Sequence, residues 1–121
     1  MWRMEPTNGW QLSALGFQQT NPAEIAHLLR NLSHYMAQLR VCKSHKSIEA
    51  LYLHNEVSSV VSIDQGGLED GLVESRVYAF PDESKRILYL LCVGKASEKN
   101  ADMEYCKTAV LDIVMRDLET V

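Results

Sequence analysis

The sequence predicts an α+β domain: an antiparallel sheet meander with a helical pair before it and one helix after it. Three observations carry that expectation. Residues 22–40 keep an unbroken helical period, residues 57–93 switch toward a period of two, and residues 100–118 return to helical spacing. A chain of 121 residues fits one compact domain spanning residues 1–121. At that size roughly two-thirds of the unfolded surface is hidden on folding, so no disulfide or metal staple is required.

Residues 10–17 (WQLSALGF) alternate Trp10, Leu12 and Ala14 against Gln11 and Ser13, the pattern of a short half-buried strand. Asn21-Pro22-Ala23-Glu24 then supplies an N-cap residue, a proline at the first helical position and a glutamate at the third, a capping-box arrangement. Behind it Ile25, Leu28, Leu29, Leu32, Met36 and Leu39 form one apolar stripe, so residues 22–40 are expected to be helical. A shorter helix is expected over about residues 46–54, with Ile48, Leu51 and Tyr52 inward.

Residues 57–64 (VSSVVSID) read as a strand, and the following QGGLEDG as a Gly-rich turn or loop. Residues 72–80 (LVESRVYAF) form the next strand, with Leu72, Glu74, Arg76 and Tyr78 on one face and Val73, Val77 and Ala79 on the other. Pro81-Asp82-Glu83-Ser84 is a turn, because proline presets φ and Asp bonds to nearby backbone. Residues 86–93 (RILYLLCV) are the most apolar strand and belong at the sheet's centre. A last helix over about residues 100–118 carries Met103, Cys106, Val110, Ile113 and Val114 at helical spacing. The helices are expected mainly on one sheet face.

Twelve Lys and Arg against sixteen Asp and Glu leave a net charge of −4, with 46% hydrophobic and 23% charged residues. These values exclude a disordered chain, a collagen-like repeat and a protein that holds nucleic acid by bulk positive charge. The start, MWRMEPTNGW, lacks the apolar centre of a signal peptide, and the longest apolar run, residues 87–93, falls far short of the ~20 needed to cross a bilayer. A cytoplasmic protein with no membrane partner is the expectation. Cys42, Cys92 and Cys106 are odd in number and unpaired in spacing, which suits reduced thiols.

Elements that would bind a cofactor or metal are weak. Cys42 and His45 make a C-x-x-H spacing, but no second pair follows to complete a four-ligand zinc site, so no metal is expected. His27 and His34 share one helix face and read as a polar rim, and His54 has no assigned role. Gly66-Gly67 lacks the pattern of a phosphate loop, so no nucleotide cofactor is expected. Trp2 and Trp10 read as terminal packing residues or as cover for a dimer surface.

Two stretches resemble a known family. Ser75-Arg76-Val77-Tyr78-Ala79-Phe80-Pro81-Asp82 and Lys85-Arg86-Ile87-Leu88-Tyr89-Leu90-Leu91-Cys92-Val93-Gly94-Lys95, with Asp102–Ala109 opening the final helix, are similar to the RelE/ParE toxin superfamily, especially its HigB and phage-encoded branch. The resemblance covers roughly residues 57–118 and consists of an arginine-bearing strand, an acidic turn, an "RI" strand, a following lysine and an amphipathic helix. It implies a prokaryotic or phage toxin–antitoxin module, a compact sheet with a shallow basic cleft, an antitoxin-like partner, and ribosome-dependent mRNA cleavage without a metal. On that footing the catalytic set is Arg76 as phosphate clamp, Lys95 as phosphate or acid–base contact, and Tyr89 as proton-transfer candidate. Such chemistry needs the 2′-hydroxyl deprotonated and the phosphate charge stabilised, which Arg, Lys and Tyr can supply.

The chain also departs from that pattern. VSSVVSID lacks the arginine many members carry there, and residues 61–121 hold seven Lys and Arg against twelve Asp and Glu. A polyanion would be repelled unless bases such as Arg30, Arg40, Lys43 and Lys46 gather on one face. The alternative expectation is a non-catalytic protein-interaction module of the same fold, forming a homodimer or holding a protein partner.

Overall fold

The computed structural model describes residues 1–66 and 71–119. In chain order the elements are β1 (Arg3–Pro6), α1 (Asn8–Thr20), α2 (Pro22–Val41), β2 (Leu53–Asn55), β3 (Val61–Asp64), β4 (Ser75–Asp82), β5 (Ile87–Lys95) and α3 (Lys99–Glu119). One-turn 3₁₀ helices occur at His45–Ser47 and Ala96–Glu98. The five strands form one sheet in the order β1-β5-β4-β3-β2. Strands β3 to β5 are the expected antiparallel meander, β2 extends it by one unexpected antiparallel strand, and β1 runs parallel to β5 and makes the sheet mixed. The α+β class holds.

Residues 10–17 are helical, not a strand. Thr7 caps α1 by accepting the Trp10 amide on Oγ1. Trp10, Ala14 and Phe17 face the core at helical spacing, while Leu12 and Leu15 point to solvent. The apparent alternation arose because Trp10 and Ala14 satisfy both periods. Strand β1 lies earlier, in the mostly exposed tetrapeptide RMEP, whose extension is imposed by pairing Arg3–Pro6 with Ile87–Leu90.

Helix α2 matches its expected span and buries Ile25, Leu28, Leu32, Met36 and Leu39, with Leu29 left exposed. Asn21 makes no side-chain cap to the backbone. It donates instead to buried Glu24 Oε2 (2.9 Å), which also accepts the Val73 amide at 3.1 Å. The expected helix over residues 46–54 is replaced by the 3₁₀ turn and β2, because Leu53–Asn55 pairs with β3; Leu51 is fully exposed. β3 starts only at Val61, since Ser58 and Ser59 take positive φ in the preceding turn. Pro81 continues β4 rather than turning. It sits beyond the end of β3, where a missing amide leaves no ladder bond unmade, and the turn falls at residues 83–86.

Helices cover both sheet faces, correcting the one-sided expectation. On one face α1 and α2 pack on Val61, Ile63, Val77, Ala79, Leu88, Leu90 and Val93, together with Trp2, which is therefore a core residue, and Trp10, which is half-buried against that core. On the other, α3 lays Met103, Cys106, Val110 and Ile113 on Tyr78, Phe80, Ile87, Tyr89, Leu91 and Cys92. Val114, expected inward, is exposed. A bulge sets which face the residues of β5 present. Tyr78 pairs with Cys92 and Ala79 with Leu90, so Leu91 is the extra residue, and Leu91 and Cys92 both face α3.

Candidate functional site

Helix α3 covers β4 and β5, and a polar group of side chains forms beside it on the same sheet face. The register places it: His54 pairs with Ser62 and Ser62 with Tyr78, while Asp64 pairs with Arg76, so all five share a face. His54 Nε2 lies 2.8 Å from Asp64 Oδ2. Asp64 Oδ1 is 3.2 Å from Arg76 Nε, close enough to neutralise charge though not aligned as a hydrogen bond. Glu74 approaches Arg76 from the strand's entry at 3.6 Å. Ser62 Oγ donates to Glu56 Oε2 (2.8 Å), and Lys99 Nζ reaches Glu56 Oε1 at 3.1 Å, tying the start of α3 to the β2–β3 turn. Burial works against the Glu56 charge, but Ser62 and Lys99 outweigh it and hold the carboxyl below its usual range.

Two further polar groups lie under the N-terminal end of α3. The Tyr78 hydroxyl is buried with no hydrogen-bond partner among the described residues, and burial followed by the Asp102 charge pushes its pKa up. Asp102 Oδ2 is likewise buried and unpartnered, and burial, then Glu98, raises that carboxyl above its ordinary range. Gly94 lies directly beneath: a β-carbon there would overlap Asp102 Oδ2.

The three residues expected to share a cleft do not converge. Arg76 is on the α3 face, held by Asp64 and Glu74; residues 67–70 of the expected Gly-rich loop lie outside the described ones. Lys95 pairs with Ser75, one register step from the Arg76–Gly94 pair, and so faces the opposite side of the sheet. The bulge decides this. Without Leu91 as an extra residue, Lys95 would share the face of Tyr89 and Arg76. Tyr89 is on the α3 face, but it pairs with Phe80, four residues along β4 from Arg76, roughly 13 Å away at strand rise. Its ring stacks on Phe80 with centroids 5.9 Å apart. Its hydroxyl accepts from Lys85 Nζ at 2.5 Å, and Lys85 also reaches Asp117 Oδ2 at 2.7 Å, so Tyr89 helps fasten the β4–β5 turn to the end of α3.

Chemically, Asp64 can orient His54 for proton transfer, and Arg76 can bind an anion only by releasing two carboxylates. The sequence reading missed His54, Ser62, Asp64, Glu56 and Lys99. The one available signal was the polar pair Ser62 and Asp64 at period two inside an apolar strand. Among the described residues no group of three or more His, Cys, Asp or Glu is gathered to hold a metal ion. Nor is any described helix long and apolar enough to cross a membrane. A scan of protein-family models and searches of curated proteins and of solved structures each found nothing that matches this chain.

Proposed function

We propose that this chain is a RelE/HigB-like module of prokaryotic or phage type whose work is protein association in the cytoplasm, and that it forms a homodimer through α3. Support for the kinship is the order of the stretch that carries the resemblance, the antiparallel strands β3 to β5 closed by α3; the helices ahead of it are α1 and α2 rather than the pair expected at 22–40 and 46–54. The observation that carries the association is the outer face of α3. Leu111, Val114, Met115 and Leu118 are 59%, 41%, 48% and 63% exposed at i, i+3, i+4 and i+7, a continuous apolar stripe. Two copies of α3 laid antiparallel about a twofold axis set Leu111 against Leu118 and Val114 against Met115, a self-complementary contact. A pocket of about 450 Å³ opens beside the stripe, between the start of α1 and α3, with Met115 and Arg116 on its wall.

Light scattering on the purified chain tests this. A dimer that Leu111→Glu with Leu118→Glu converts to a folded monomer is the expected result. A monomer at every concentration removes the homodimer, and capture of a defined antitoxin-like protein by the same stripe reassigns the occupant.

A second reading has one observation in its favour: the His54–Asp64–Arg76 chain joins an oriented base to a cation, as metal-independent mRNA cleavage requires. Against it, Arg76 is already neutralised, and Glu56, Asp64 and Glu74 surround it with negative charge. Salt-sensitive co-sedimentation with ribosomes, and mRNA ends that vanish in Arg76→Ala, would favour it.

A further inference from the structure

Beneath α3, two of the three cysteines face each other across the core. Cys92 comes from the bulged part of β5 and Cys106 from the buried side of α3, and their sulfurs are 3.8 Å apart. The bulge accounts for the meeting, because it turns Cys92 to the α3 face where simple alternation after Leu91 would turn it away. Cys92 also lines a pocket of about 380 Å³ with Gly9, Leu12, Ser13, Asp102 and Tyr105. Cys92 thus borders a space that a very small molecule can enter, while Cys106 is fully buried behind it.

We infer that Cys92 and Cys106 form an oxidisable dithiol, and that hydrogen peroxide entering by this pocket converts the pair into a disulfide joining β5 to α3. The Cys92 thiolate attacks one peroxide oxygen, so that an S–O bond forms, the O–O bond breaks, and hydroxide leaves to become water. The resulting sulfenic acid is attacked by the Cys106 sulfur; the S–S bond forms, the S–O bond breaks, and a second water leaves. Two thiols and one peroxide thus give one disulfide and two waters, the thiols losing the two electrons that the peroxide gains. Asp102, which lines the same pocket and has a buried oxygen without a partner among the described residues, can take up the thiol proton. The Cys106 contact and burial both hold the Cys92 thiol up, so the reaction needs added peroxide and quickens as pH rises. Cys42 lies on the other side of the sheet, with its thiol turned to the Leu39 carbonyl, and takes no part.

The test treats the full folded chain with peroxide, then counts thiols and measures intact mass before and after dithiothreitol. Titratable thiols are expected to fall from three to one, with a mass lower by two hydrogens and a Cys92–Cys106 link in the peptide map. Cys42→Ser should go from two thiols to none, and Cys106→Ser should leave a sulfenic acid at Cys92 that dimedone traps. Should Cys106→Ser fail to fold, the wild-type peptide map still decides the matter. A chain that keeps all three thiols, that gains oxygens without an internal link, or that cross-links through Cys42 overturns the inference.

Discussion

Removing a carboxylate from the first turn of a helix ordinarily destabilises it, yet Asp102→Ala should stabilise this protein. Asp102 stands in the first turn of α3, where the helix dipole favours a negative charge by about 0.3–1 kcal/mol. Opposing that, its Oδ2 is buried with no partner among the described residues, a penalty of about 1–3 kcal/mol. Alanine also gains a few tenths of a kcal/mol, up to roughly 0.7, in helix propensity. The balance is a gain of roughly 1 to 2 kcal/mol at neutral pH, the burial term outweighing the dipole. The pH dependence follows from the direction of the shift. The folded carboxyl titrates above its ordinary 3.8, so the wild type is at no disadvantage while both states are protonated, and loses relative stability as pH rises from there through the folded value. Urea melts across this range should show a stabilisation that is largest at neutral pH and shrinks to the propensity term near about pH 3. A loss of about 1 kcal/mol or more at neutral pH, or a gain independent of pH, would refute the reasoning, because either would mean that the Asp102 charge is satisfied.

Other outcomes can be checked alongside. Gly94→Ala should cost no more than about 1 kcal/mol, because its β-carbon meets the end of the Asp102 side chain, which must turn aside, and adding Asp102→Ala should recover that loss in a double-mutant cycle. Glu24→Gln should lose about 1–2 kcal/mol at neutral pH by chemical denaturation, since buried Glu24 holds Asn21 and the Val73 amide as an anion. Asn21 and then Val73 keep its carboxyl below the ordinary 4.5, so that contribution is present above 4.5 and disappears as pH falls through the lower folded value. Lys85→Met removes the contacts to Tyr89, Asp82 and Asp117. Solvent screening limits the loss to about 1 kcal/mol, and hydrogen exchange should quicken in the last turns of α3 before any global change.

Local signals reported those elements whose own residues carry the reason for their shape. Pro22 with the Ile25–Leu39 stripe specifies α2, the apolar run from Ile87 specifies β5, and Met103, Cys106, Val110 and Ile113 specify α3. They failed at β1 and at residues 46–54, where a strand exists only because a neighbour pairs with it. The candidate site was harder still. Arg76 was visible as a cation on a strand, but its neutralisation by Asp64 depends on the β3–β4 register, and the approach of His54 on a further register between β2 and β3.

What the amino-acid order determined alone was the α+β class, the spans of α2, β5 and α3, and an excess of acid in the second half of the chain. These follow from periodicity and charge, which neighbouring residues settle between themselves. Which side chains meet was decided only by the tertiary structure. One unpaired residue, Leu91, turns Cys92 toward Cys106 and sends Lys95 to the face away from Arg76. A strand alternates strictly until a partner forces a bulge, and the partner lies elsewhere in the chain.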